Sequence, residues 1–128
     1  MSFGYTVETS KGMDDAVQAL EQALKEEKFG VLWDFDLAGK LREKGKDFPS
    51  GYRVLEVCNP DEAEKVLSKD KQVGYFLPCK IVVYEEDGKT KIGMPNPTTL
   101  IELANDPELN EIAADVENRL KKSIDNAK

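Results

Sequence analysis

Asp87-Gly88 stands between two runs of alternating residues, Cys79 to Glu86 and Lys89 to Met94. A two-residue Asp-Gly loop closes a hairpin because both of its positions take positive φ and its twist matches that of the flanking strands. The two runs must therefore pair antiparallel, and the fold has to be built around that ribbon. In the first run Ile81 and Val83 share one face while Val82 and Tyr84 share the other, as a period of two requires.

Periodicity supplies the remaining elements. Phe3, Tyr5 and Val7 alternate with Gly4 and Thr6 as a first strand. Met13, Ala16, Val17, Leu20, Ala23 and Leu24 recur at helical spacing, with Asp14 and Asp15 in the first turn, where the helix dipole favours negative charge. Phe29, Val31, Trp33 and Phe35 mark a strand expected to aim all four side chains one way, with Gly30, Leu32 and Asp34 on its other face. Asp36 is placed to cap a short helix through Leu37, Leu41 and Lys44, stopped by Gly45. Tyr52 to Cys58 reads as a strand and Pro60 to Lys69 as a helix. Helical spacing returns at Leu100, Ile101, Leu103 and Ala104. After Pro107 it continues through Leu109, Ile112, Ala113, Val116, Leu120 and Ile124, an amphipathic helix over residues 107–125.

The order is β-α-β-(short α)-β-α-β-β-α-α in one domain over residues 1–128, with no linker or internal repeat. It predicts an α+β protein whose largely antiparallel sheet carries helices on one face. A ferredoxin-like sandwich is the alternative. Helices on one face would leave apolar groups such as Val82 and Tyr84, or Leu55 and Val57, on the other, and a homodimer is the expected way to cover them.

Composition excludes more chemistry than it identifies. The 128 residues hold 18 Lys+Arg against 25 Asp+Glu, a formal charge of -7, and no histidine. Without imidazole there is no Ser-His-Asp triad, no Cys-His nucleophile pair and no HExxH zinc helix. Two cysteines cannot furnish an all-thiolate zinc site, which needs four ligands. The sequence contains no CxxC pair and no glycine-rich phosphate loop of the GxGxxG or GxxxxGK[ST] kind. Negative charge argues against nucleic acid, whose binding depends on neutralising many phosphates. The basic run Lys40, Arg42, Lys44 and Lys46 is broken by Glu43 and reads as a solvated face. No stretch approaches about 18 consecutive apolar residues, and Met1 to Thr9 lack the basic and apolar regions of a signal peptide. A cytoplasmic protein with reduced thiols is expected, without membrane partner, metal or cofactor.

Asn59-Pro60, Asn96-Pro97 and Asp106-Pro107 each precede a helical segment. Plain capping is the first reading, because Asn or Asp accepts from orphan N–H groups and proline at the first position gives up no needed donor. Glu62, three residues after Asn59, fits a capping box. An anion seated on converging helix N-termini is the second reading. Cys58 precedes one such N-terminus, a setting that can stabilise a thiolate, and Cys79 opens the next strand after Pro78. Burial as small apolar side chains is the competing reading for both. Arg53 and Glu56 fall on opposite faces of one strand, as surface charges or with Arg53 facing a ligand. Trp33, Tyr52, Tyr75 and Tyr84 read as core or sheet-face aromatics rather than a cage.

The phrases Val57-Cys58-Asn59-Pro60 and Leu77-Pro78-Cys79, the latter followed by Val82-Val83-Tyr84-Glu85, resemble the bacterial and archaeal domain-of-unknown-function 302 family. Lys28-Phe29-Gly30-Val31 and Tyr52-Arg53-Val54-Leu55 are similar to its pattern as well. The resemblance covers roughly Met13 to Leu103 and leaves out the helix after Pro107. It implies a small curved-sheet α+β fold of the TATA-binding-protein-like class and no established activity.

Two functions remain in view. One is a non-catalytic domain that binds a small molecule or anion, with Cys58, Asn59, Cys79, Arg53 and Asn96 as candidate contacts. The other is a thiol redox or thiol/metal-handling protein with Cys58 as nucleophile and Cys79 as resolving partner. Antiparallel pairing of the two cysteine strands would put both thiols at one end of the sheet, reduced and close, beside a helix capped by Asn59.

Overall fold

The computed structural model describes residues 3–128. Five strands form one sheet: β1 (Gly4–Thr9), β2 (Gly30–Asp36), β3 (Tyr52–Cys58), β4 (Cys79–Glu86) and β5 (Lys89–Pro95), in the order β1-β5-β4-β3-β2. Every neighbouring pair is antiparallel. The Asp87-Gly88 hairpin forms as its sequence requires, with φ of 55° and 75°. β2 to β5 are a simple meander, and β1 returns to the far edge beside β5. The ferredoxin-like alternative fails on this order, because its split βαβ units interleave strands whereas here β2 to β5 follow one another across the sheet.

Helices α1 (Met13–Glu26) and α5 (Pro107–Ala127) pack together over one face. α1 connects the two edge strands, so it has to cross the whole sheet. Its 14 residues span roughly 21 Å, and five strands are roughly 19 Å wide. The length fits the crossing. Leu20 and Leu24 of α1 and Leu120 and Ile124 of α5 close with Leu55, Val57, Ile81, Val83 and Ile92 into the main core. Leu55 and Val57 therefore lie on the covered face, which corrects the expectation that places them on the open one. Val82 and Tyr84 do face the other way, where Val82 pairs with Val54 and Tyr84 stacks on Tyr52 with ring centroids 5.4 Å apart.

β2 departs from its expected pattern. Val31 pairs with Val57 but Trp33 pairs with Glu56, a register shift that leaves Leu32 as the extra residue of a bulge. Val31 consequently packs on the main core, while Trp33 and Phe35 turn to the open face and stack at 5.0 Å. Phe29, Val31, Trp33 and Phe35 do not share one face.

Beyond the strand ends Gly30, Cys58, Cys79 and Pro95 lies a second, smaller core. It is built by α3 (Pro60–Lys69), a 3-10 segment (Lys71–Phe76), α4 (Pro97–Ile101) and the first turns of α5, through Val66, Val73, Ile101, Leu109 and Ala113. A short 3-10 turn, Glu102–Ala104, joins α4 to the loop before Pro107. At the opposite end of the sheet α2 (Leu37–Glu43) follows β2, capped by Asp36, whose Oδ1 accepts from the Gly39 N–H at 2.9 Å. The basic run from Lys40 to Lys46 is exposed at every lysine and arginine, as expected of a solvated face. No helix among the described residues is long and apolar enough to cross a membrane.

Candidate functional site

Between the sheet end that carries both cysteines and the second core lies a cavity of ≈ 630 Å³. Its walls are mostly apolar: Phe29 and Val57 from the sheet side, Val66 from α3, Phe76 from the 3-10 segment, Ile101 from α4, and Leu109, Val116 and Leu120 from α5. Polar groups at its wall include Cys58, Asn59, Glu56, Glu62, Cys79 and Lys80. The size lies within the range of small-molecule pockets, roughly 300–1,000 Å³.

Three of the five candidate contacts come together here. Cys58 ends β3 and Cys79 begins β4, and the register pairs Cys79 with Val57. The two cysteines are thus at one sheet end and one residue out of register, with Cα atoms roughly 6 Å apart for ordinary strand spacing and rise. Alternation assigns Cys79 to the face of Ile81 and Val83, and Cys58 to the face of Val54 and Glu56. Both are free thiols. Asn59 is buried and caps α3, its Oδ1 accepting from the N–H of Asp61 at 2.9 Å and of Glu62 at 3.2 Å. Glu62 pairs with Lys65 at 3.4 Å and Arg119 at 3.6 Å.

Asn96 sits between Pro95 and Pro97, which both line the cavity. Its carbonyl accepts from the N–H of Thr99 at 3.0 Å, but the side-chain cap expected of it is supplied from α5. Glu117 Oε1 accepts from the Thr98 N–H at 3.0 Å and from the Thr98 hydroxyl at 2.6 Å. Burial pushes the Glu117 carboxyl up, yet the Thr98 and Lys121 contacts outweigh it and hold the group below its ordinary value. Asp106 caps α5 as expected, accepting from the Glu108 N–H at 3.0 Å.

Arg53 is not at this site. It lies toward the other end of β3, where its guanidinium forks onto the Asp34 carboxylate, with Nε to Oδ1 at 3.1 Å and Nη2 to Oδ2, and reaches Asp14 Oδ1 at 2.6 Å. The Asp34 hydrogen bond, opposed by partial burial, raises its pKa. Alternation puts Arg53 on the opposite face from Glu56 correctly, but the bulge in β2 is what delivers Asp34 to it. Glu56 instead pairs with Lys80 at 2.8 Å.

The electrostatics of the thiols oppose nucleophile activation. Burial pushes the Cys58 thiol up. Burial first, then the nearby Cys58 and Glu56, push Cys79 up from 9.0 to about 11. The raised value of Cys79 makes its folded form the better proton binder, so the stability it contributes is full below about 9 and is lost as pH rises toward about 11. At pH 8 the expected outcome is alkylation of native Cys79 about 100-fold slower than in the unfolded chain, because only the thiolate reacts. Mass-spectrometric counting of alkylated Cys58 and Cys79 against pH checks it; a native thiol with a midpoint below about 8.5 would overturn it.

Sequence reasoning misses the second core, the 3-10 segment and hence the cavity. The available signal is the apolar set Val73, Phe76 and Leu77, which fits neither a helix nor a strand period. Trp33 is a sheet-face aromatic, as expected, whereas Tyr75 lies in the 3-10 segment and is neither core nor sheet face; both are exposed and line the cavity.

The comparisons with known proteins agree with this architecture. A crystal structure described as an uncharacterized conserved protein DUF302 from Bacillus stearothermophilus is 55% identical, covers 100% of both chains and superposes with a TM-score of 0.97. No curated protein matches the chain. The family described as Domain of unknown function DUF302 matches residues 5–127, wider than the Met13 to Leu103 stretch that carries the quoted phrases. The extension takes in β1 and α5, as it should, since Val116, Leu120 and Ile124 of α5 complete the main core. The chain belongs to the DUF302 family.

Proposed function

We propose that this domain binds a small apolar molecule without transforming it, in the cavity beneath the ends of β3 and β4. The observation that carries the reading is the cavity itself, ≈ 630 Å³ of largely apolar space between two packed cores. A partly open, largely apolar cleft of this size with a few polar groups on its wall is the usual form of a small-molecule site. Cys58, Asn59 and Cys79 then serve as polar or polarisable contacts on the wall, with the thiols neutral. A thiol redox or metal-handling role for Cys58 and Cys79 is the competing proposal, and the alkylation profile separates the two. Thermal unfolding in the presence of metabolites, anions, metals and apolar compounds tests the binding reading. A ligand at 100 times its dissociation constant adds about 2.7 kcal/mol of stability. The reading fails if no apolar compound raises the melting temperature.

Two further proposals accompany it. The domain works in the cytoplasm, where its thiols stay reduced. It is also proposed to form a homodimer through the sheet face that α1 and α5 leave uncovered, where Val54, Val82, Tyr52 and Tyr84 are half-buried in the single chain. A monomer mass by light scattering at micromolar concentration would refute the dimer.

A further inference from the structure

One edge of the cavity carries an aromatic ring and an ion pair side by side. Trp33 pairs across the sheet with Glu56, and Glu56 with Lys80, so the three side chains stand in a row on one face at the cavity's edge. Trp33 is 56% exposed, and its ring is stacked against Phe35. The Glu56 side chain is only 17% exposed, whereas its partner Lys80 is 49% exposed. The charged residues lining the cavity are Glu56, Glu62 and Lys80. Glu62 is matched from outside that set by Arg119 and Lys65. Glu56 is matched by a lysine that stands half in water.

We propose that the ligand is an apolar molecule carrying one ammonium charge, its body in the cavity and its head between the Trp33 ring and the Glu56 carboxylate, where it takes the place of Lys80. The inference rests on the binding reading above and adds the ligand class to it. Indole is the strongest aromatic partner for a cation, and the attraction grows as water is excluded. Releasing Lys80 costs little, because a half-exposed surface ion pair contributes little to begin with. An anionic head could pair only with Lys80, displacing the more buried Glu56 carboxylate and gaining nothing from the indole face, and a neutral head would gain a hydrogen bond at most. The cavity volume suits a body of roughly 10–20 non-hydrogen atoms.

Trp33 is the only tryptophan in the chain, so its fluorescence reports directly on this edge of the cavity. The test titrates the full chain with decyltrimethylammonium, decanol and decanoate below their aggregation limits, following Trp33 emission. The cation is expected to bind roughly tenfold tighter than the alcohol, with decanoate weakest. Glu56→Gln should cut the cation's advantage to the part the Trp33 ring supplies while leaving decanol binding unchanged, and Lys80→Met should tighten the cation further. A circular-dichroism melt of each variant checks that it is folded. Equal or tighter binding of decanol or decanoate overturns the charge assignment and leaves the cavity reading standing. Binding of none of the three overturns both.

Discussion

Replacing Ile81 by alanine is expected to lower the unfolding free energy by about 3–4 kcal/mol. Ile81 is fully buried on β4, the central strand, opposite Leu55 and within the cluster that joins α1 and α5 to the sheet. Both neighbouring strands are hydrogen-bonded to β4, so the backbone cannot close over the space that three missing carbons leave. Large-to-small changes at sites that cannot collapse fall in the upper part of the usual range of roughly 2–5 kcal/mol. The loss is a large fraction of the roughly 5–15 kcal/mol that holds a typical domain together. Urea denaturation checks it: the midpoint should fall with an unchanged slope, since the same surface is exposed on unfolding. A loss below about 1 kcal/mol would mean that the main core tolerates a void at its centre, against the packing described above.

The helices of the main core are legible in the sequence because each obeys one period. α1 and the second half of α5 carry clean helical spacing, so their buried faces follow from counting residues, whereas β3 and β4 carry apolar residues on both faces and counting alone does not tell that Leu55 and Val57 lie on the covered one. Asp87-Gly88 fixes one antiparallel pair, but the other strand pairs are joined through helices and their order does not follow from the sequence. At β2 the alternation misleads, because a bulge is an insertion of one residue in register and nothing in the types of Val31, Leu32 and Trp33 marks which one is extra. That single shift decides which face the tryptophan takes and which aspartate meets Arg53.

The candidate site is legible only in part, for a related reason. Cys58, Asn59 and Cys79 can be placed together because they adjoin strand ends, and strand ends follow from topology. Arg53 does not belong with them although it shares a strand with Cys58, because it lies five residues away toward the far end. The cavity is invisible in the sequence because it is bounded by short segments, a six-residue 3-10 turn and a five-residue helix, too short to display a period. Their side chains come together with those of α3 and α5, the helix that serves both cores.

That double service of α5 leads to the second large effect. Leu109 is 1% exposed and anchors the second core with Val66, Val73 and Ile101, while Val116, Leu120 and Ile124 further along the same helix belong to the first. Leu109→Ala is expected to cost about 2–3 kcal/mol, in the lower part of the range because the cavity beside it lets the neighbours relax. The cost should appear where the second core opens on its own. Amide exchange in α3 should quicken roughly 30- to 150-fold, the factor that about 2–3 kcal/mol represents. Ile81→Ala supplies the control, since its contacts persist when only the second core opens, and it should leave those same amides unchanged under conditions where exchange proceeds by local opening. If both substitutions quicken α3 by one factor, the two cores open as a single unit and a molecule reaches the cavity through its exposed edge beside Trp33 and Tyr75 alone. If only Leu109→Ala does, opening of the second core is a route by which a molecule can reach the space between them, and the same variant should then speed both arrival and release of decyltrimethylammonium.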